Sequence, residues 1–237
     1  MKMIVSNYDG TIKRYTRKPN LIQKIDLKKD LKEIKNFIEN GNIFTITSQR
    51  TTTSLIKELE SKKVPYNYFT AFEGLVTFDK DNNLIYSECL DNSLIKGIEE
   101  LIKKTNLIES LTSYNAFKAC ENIIIDNPIL IAMSVKDIKD TILFLKNINT
   151  NLDLYEVFWK KDRLWLHKKI NKERGIKLLL NQINMPSEII TIGDSLNDLT
   201  MINKYNGWCI NKSEIDIYNS GNIKTTPNIR TLIKTLK

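Results

Sequence analysis

Four short stretches of the chain gather residues able to handle a phosphate or a cation. Asn7 and Asp9 stand in Ser6-Asn7-Tyr8-Asp9-Gly10-Thr11, directly after the apolar run Met3-Ile4-Val5. Ser48 and Arg50 follow Ile43-Phe44-Thr45-Ile46. Lys172 opens a helical pattern that places Gly175, Ile176 and Leu179 on one face. Asp194, Asn197 and Asp198 follow Ile189-Ile190-Thr191-Ile192-Gly193. A hydroxyl, a guanidinium and an ammonium can orient and neutralise a phosphate. Carboxylates crowded at one strand tip are hard oxygen donors, of the kind that Mg²⁺ takes while keeping several waters. Each group also has a plainer use: Ser48, Asp194 or Ser195 as a helix cap, and Lys172 as a surface lysine.

The elements that must position these groups alternate. Residues 26–40 place Leu27, Leu31, Ile34 and Ile38 on one helical stripe, with Gly41 as a stop. The spacing predicts a buried strand at 43–46, a helix at 54–62 closed by Pro65, and strands at 68–71 and 75–78 flanking Glu73-Gly74. Strand–helix alternation of this kind implies a mostly parallel sheet, whose carboxyl-end strand tips are where ligands bind. After the polar turn 79–83 the order changes. A helix at 92–104, strands near 122–125 and 129–135, a helix at 136–147, and strands at 154–158 and 163–167 suit an inserted α+β module. A helix at 172–184 and the strand at 189–192 then resume the first style. The division expected is a core at 1–79 and 168–237, with an insertion at 80–167.

Composition narrows the function classes. The chain has 237 residues, enough for a sizeable core, with 41% hydrophobic residues and a net charge of +8. That charge suits anionic ligands, but the lysines are scattered along amphipathic segments and no nucleic-acid motif is present. Three cysteines without a C-x-x-C pair read as reduced thiols, and a single histidine, His167, argues against histidine triads and multi-histidine metal sites. No apolar run reaches the roughly 20 residues of a membrane span, and Asn7, Asp9 and Lys13 interrupt any secretory signal. A cytoplasmic protein acting on a small molecule, with no membrane or nucleic-acid partner, is expected.

Taken in order, the motifs resemble those of the haloacid dehalogenase (HAD) superfamily, and most closely its Cof-type phosphatases with a type IIB cap. Gly193 to Ile202, GDSLNDLTMI, is the most specific match to the fourth motif. IVSNYDGT is similar to the first, Ser48-Gln49-Arg50 to the second, and Lys172 with Gly175 and Ile176 to the third. The resemblance implies a Rossmann-like core with a parallel sheet and an inserted α+β cap. It also implies a Mg²⁺-dependent phosphoric monoester hydrolase acting on a small phosphorylated metabolite, with a sugar phosphate first among the candidates. In such enzymes one aspartate attacks phosphorus and a second serves as acid and base. Carried onto this chain, position 7 is the nucleophile's, Asp9 is the acid/base, and Ser48 and Lys172 bind phosphate. Asn7, the Asp9 carbonyl and Asp194 hold the metal, with Asn197 and Asp198 in support; Arg50 and Glu73 are substrate-side candidates.

Three positions depart from the family pattern. Asn7 stands where the attacking aspartate belongs, and an amide is a very poor nucleophile with one less negative charge for a cation. That leaves open a natural phosphate-binding pseudoenzyme or sensor, a deliberately blocked enzyme, or a side chain that deamidates after synthesis. Gln49 replaces a glycine, which would strain the backbone if φ there were positive. Glu73 precedes Gly74 where Asn-Gly is usual.

Overall fold

The computed structural model describes residues 1–14, 19–148, 152–215 and 223–236. They form a mixed α/β protein of two compact units, Met1–Tyr86 with Ile170–Lys237, and Ser87–Lys169. In the first unit β1 (Lys2–Asn7), α1 (Leu21–Glu39), β2 (Ile43–Thr47), α2 (Thr52–Lys62), β3 (Tyr68–Ala71), β4 (Val76–Asp79) and β5 (Leu84–Ser87) come first in the chain. The chain returns to it with α5 (Lys172–Leu180), β11 (Glu188–Gly193), α6 (Leu199–Lys204), β12 (Asn206–Ile210), β13 (Lys224–Thr226) and α7 (Ile229–Thr235). The strands make one sheet in the order β13-β12-β11-β1-β2-β3-β4-β5. Every pair from β13 to β3 is parallel, and β4 runs antiparallel to β3.

The central strands are apolar on both faces because helices cover both, as a parallel sheet requires. Met3 and Val5 of β1 pack with Ile176 and Leu179 of α5 and Met201 and Ile202 of α6. Ile4 between them is equally buried on the opposite face. Register then aligns the functional strand ends: Ser6 lies beside Ile192 of β11, and Asn7 beside Thr47 of β2. Three adjacent parallel strands therefore end together at Asn7, Ser48 and Asp194.

The second unit holds α3 (Asn92–Lys104), β6 (Ile108–Tyr114), β7 (Ala119–Glu121), β8 (Leu130–Val135), α4 (Ile138–Ile148), β9 (Tyr155–Lys160) and β10 (Arg163–Lys168). Its sheet, β7-β6-β8-β10-β9, is antiparallel throughout. One face packs Leu111, Ile131, Met133, Leu164 and Leu166 against Leu94, Ile98 and Leu101 of α3 and Leu145 of α4.

Two local features differ from the sequence expectation. Residues 122–125 are no strand. Ile123 is 63% exposed, and the segment is tied to β6 through Ser113, whose hydroxyl donates to the Ile123 carbonyl and accepts from the Ile125 amide. The strand is β6 itself, IESLTSY, whose single leucine gives a weak apolar signal although Leu111 is buried. Helix α1 starts at Leu21, earlier than its apolar stripe, because Asn20 and Gln23 form a reciprocal capping box.

Candidate active site

The loop after β1 is shaped by Gly10 and Asp194. Gly10 has φ +85°, and a Cβ built there would lie 1.9 Å from Asp194 Oδ2, so only glycine lets the β1 and β11 loops approach. Thr11 secures the approach by donating its hydroxyl to Asp194 Oδ1 at 2.6 Å. On the other side, α5 begins at Lys172 behind its cap Asn171, which accepts from the Arg174 amide. Helix α5 sits close to the sheet because Gly175 meets Gly74 backbone to backbone; a Cβ on Gly175 would lie 2.7 Å from the Gly74 Cα. That depth carries the Lys172 ammonium to the strand tips.

Lys172 is 3% exposed and Asp198 fully buried. The lysine Nζ donates to Asp198 Oδ1 at 2.5 Å and to Asn7 Oδ1 at 3.1 Å. Asp198 uses its other oxygen on the loop that carries Asp194, accepting from the Asp194 amide (2.9 Å), the Ser195 amide (3.1 Å) and the Ser195 hydroxyl (3.2 Å). Asp198 is thus a positioning residue that holds both Lys172 and the Asp194 loop. Burial raises the Asp194 carboxyl above its ordinary value. Hydrogen bonds from Thr11 and Asn7 oppose that rise, the Asp198 charge adds to it, and the Lys172 charge offsets it.

Asn7 lies at the centre. Its Oδ1 accepts from the Tyr8 amide at 2.8 Å and from Lys172, and its Nδ2 donates to the Asp9 carbonyl at 2.7 Å and to Asp194 Oδ1 at 2.8 Å. Asp9 turns its carboxylate to Arg50, which donates Nε to one oxygen at 2.6 Å and Nη2 to the other at 2.7 Å. This planar two-point clamp is one that guanidinium makes and ammonium does not. Arg50 also lies over the Tyr8 ring, 5.8 Å from its centroid. Ser48 is buried, and its Oγ accepts from the Arg50 amide at 3.1 Å.

Asn7, Asp9, Ser48, Arg50, Lys172 and Asp194 line one cleft of about 290 Å³. The structure brings these six together from three strand tips and one helix start. Asn197 is exposed on the single turn Leu196–Asp198. Glu73 accepts from the side-chain amide of Gln49, which turns both departures from the motif toward each other. Gln49 is not among the residues of positive φ, so it escapes the strain a glycine position would impose; the left-handed backbone falls instead on Phe72 (50°) and Glu73 (58°). Ser195, read from sequence only as a helix cap, is the N-cap of the turn Leu196–Asp198 and donates its hydroxyl to Asp198, while Thr11 has no role in the sequence reading. Their signal was available in their place within the two acidic loops, but which atom a hydroxyl serves depends on the partner strand.

A family model described as haloacid dehalogenase-like hydrolase matches residues 4–163 and 114–214. The chain belongs to this family. A search of curated proteins returns no match. Among solved structures, a haloacid dehalogenase-like hydrolase from Bacteroides thetaiotaomicron superposes with a TM-score of 0.71 at 18% identity, covering 100% of this chain and 99% of the other. TM0651 from Thermotoga maritima gives 0.71 at 18% identity, covering 99% and 97%. The HAD subclass IIB sugar phosphatase BT4131 gives 0.63 at 14% identity, covering 100% and 99%. At such identities the likeness shows the fold. No helix among the described residues is long and apolar enough to cross a membrane.

Proposed function

We propose that the cleft binds the phosphoryl group of a small phosphorylated metabolite, a sugar phosphate first among the candidates. In this reading the site is laid out for phosphoric monoester hydrolysis, with Asn7 where the attacking carboxylate belongs. The observation that carries it is the placement of the buried Lys172 ammonium and the Ser48 hydroxyl beside Asn7, at the ends of adjacent parallel strands. Lys172 neutralises the phosphoryl oxygens, and Ser48, whose Oγ accepts from Arg50, donates its own proton to one of them. Asp9 is the acid and base for the leaving oxygen and the attacking water. Since both of its oxygens accept from Arg50, that work requires the pair to part, and the freed guanidinium then suits the substrate phosphate. Positioning and electrostatics of this sort supply most of phosphoryl-transfer catalysis.

Enzymes of this family generally use a divalent metal, and Mg²⁺ is the ion that hard oxygen donors favour. The donors offered here are the Asp9 carbonyl and Asp194 Oδ1, already bridged by the Asn7 amide nitrogen. This set does not fit Mg²⁺ while residue 7 is an amide; a carboxylate there would complete it. A second reading, phosphate binding without turnover, is favoured by the same amide. Deamidation would convert one reading to the other. It requires the Tyr8 nitrogen to attack the Asn7 side-chain carbon, and that N–H is shared between Asn7 Oδ1 at 2.8 Å and Thr47 O at 3.2 Å.

The test compares the chain with Asn7→Asp. Sugar phosphates are expected to raise the melting temperature of both, and the unphosphorylated sugars of neither. With Mg²⁺ and an aryl phosphate, Asn7→Asp is expected to release phosphate at least about 10⁴-fold faster than the chain itself. If neither form responds to any phosphate ester, the reading fails.

A further inference from the structure

The Asn7 amide can point in only one direction. Its oxygen faces two obligate donors, the Tyr8 main-chain N–H at 2.8 Å and the Lys172 ammonium at 3.1 Å. Its nitrogen faces two acceptors, the Asp9 carbonyl at 2.7 Å and Asp194 Oδ1 at 2.8 Å. Turning the amide over would set NH₂ against an N–H and an ammonium, and its oxygen against a carbonyl and a carboxylate. All four hydrogen bonds would become repulsive contacts. The residue is 6% exposed, so water is poorly placed to rescue the inverted form.

We infer that the Asn7 NH₂ group is a built-in stand-in for the divalent cation, so that this chain is complete, folded and able to bind phosphate without one. The inference rests on the reading of the cleft as a phosphate site only for its last clause. A cation between the Asp9 carbonyl and Asp194 would meet N–H hydrogens rather than an oxygen. Mg²⁺ dehydrates reluctantly and demands oxygen donors in near-octahedral array, so two remaining oxygens, one of them neutral, hold it poorly. The two amide protons meanwhile satisfy both oxygens, as a cation would, and Lys172 balances charge on the other side through Asp198.

The two kinds of site respond oppositely to metal. In Asn7→Asp a carboxylate replaces the bridging NH₂, setting acceptor against acceptor at the Asp9 carbonyl and at Asp194. This variant is expected to melt below the parent in EDTA and to recover in millimolar Mg²⁺ by the usual ligand linkage. The parent is expected to melt at one temperature in both. Direct binding is read with Mn²⁺ alone, by loss of the free-ion electron paramagnetic resonance signal. Affinity of the parent is expected to be at least about 100-fold weaker than that of Asn7→Asp, in line with the loss of a ligand rather than a supporting contact. If Asn7→Asp stays soluble only with Mg²⁺ present throughout, the inference is supported as well. Saturable Mn²⁺ binding by the parent at the affinity of the variant, or equal Mg²⁺ stabilisation of both, would overturn it. Inorganic phosphate then separates the two proposals. Phosphate binding that EDTA leaves unchanged supports both, and binding that EDTA abolishes in the parent sinks the stand-in alone. Absence of phosphate binding, with the metal results as expected, sinks the phosphate reading and that last clause.

Discussion

Lys172→Met tests whether the buried ammonium holds the site together. The substitution keeps most of the aliphatic stem and removes the charge, leaving Asp198 fully buried with Oδ1 unpartnered. Breaking a buried pair from one side costs about 3–5 kcal/mol, because an uncompensated charge remains. Asp198 keeps three donors on Oδ2, which places the expected loss near the lower end, about 3 kcal/mol. Adding Asp198→Asn to Lys172→Met removes the stranded charge while preserving shape, so the double variant is expected to lose at least about 1.5 kcal/mol less than the sum of the singles. Equilibrium urea unfolding measures this. Two units need not unfold together, so the reporter is Trp208 of β12 in a background where Trp159 and Trp165 are phenylalanine. A loss below about 1 kcal/mol for Lys172→Met, or singles that add within about 0.5 kcal/mol, would refute the reasoning.

Two further outcomes are expected. Gly10→Ala must place a methyl against Asp194 Oδ2 at φ +85°, and should cost at least about 2 kcal/mol in the same urea titration. In the inserted unit Tyr155 donates its hydroxyl to Asp91, which also pairs with Lys168 at 3.2 Å. The Tyr155 bond first, with Lys168, holds the Asp91 carboxyl below the usual range, while burial and Asp91 push Tyr155 up to about 12. A lowered carboxyl contributes stability above its unfolded value of about 3.9, lost as pH falls through the folded one. A raised phenol contributes below about 10, lost as pH rises through about 12. Tyr155→Phe should therefore flatten both the acid and the alkaline limb of this unit's stability, read from urea melts across pH.

What could be read from residues alone had local causes. Each chemical group follows an apolar run short enough to be a strand, and Lys172 opens a helix whose small and apolar face is periodic. The parallel core, the order of its motifs and the residues of its cleft were legible on that basis. Strand β6 was not, because one buried leucine among serines and threonines carries little periodicity, whereas Ile123-Ile124-Ile125 carries an apolar signal although only Ile124 packs against the core, as a non-strand segment beside β6. The pairing of Gln49 with Glu73 was equally hidden, since two oddities 24 positions apart in the chain explain each other only when brought together.

Asn7 marks the division most clearly. That an amide stands at position 7, where the family resemblance implies an attacking aspartate, is a property of the sequence, and its poor nucleophilicity follows from chemistry alone. Which end of that amide faces Asp194 is not. Lys172, 165 residues away, claims the oxygen, and Asp194, 187 residues away, claims the nitrogen. An amide has a donor end and an acceptor end of nearly equal size. Only the partners that the folded sheet and α5 bring to it can decide between them.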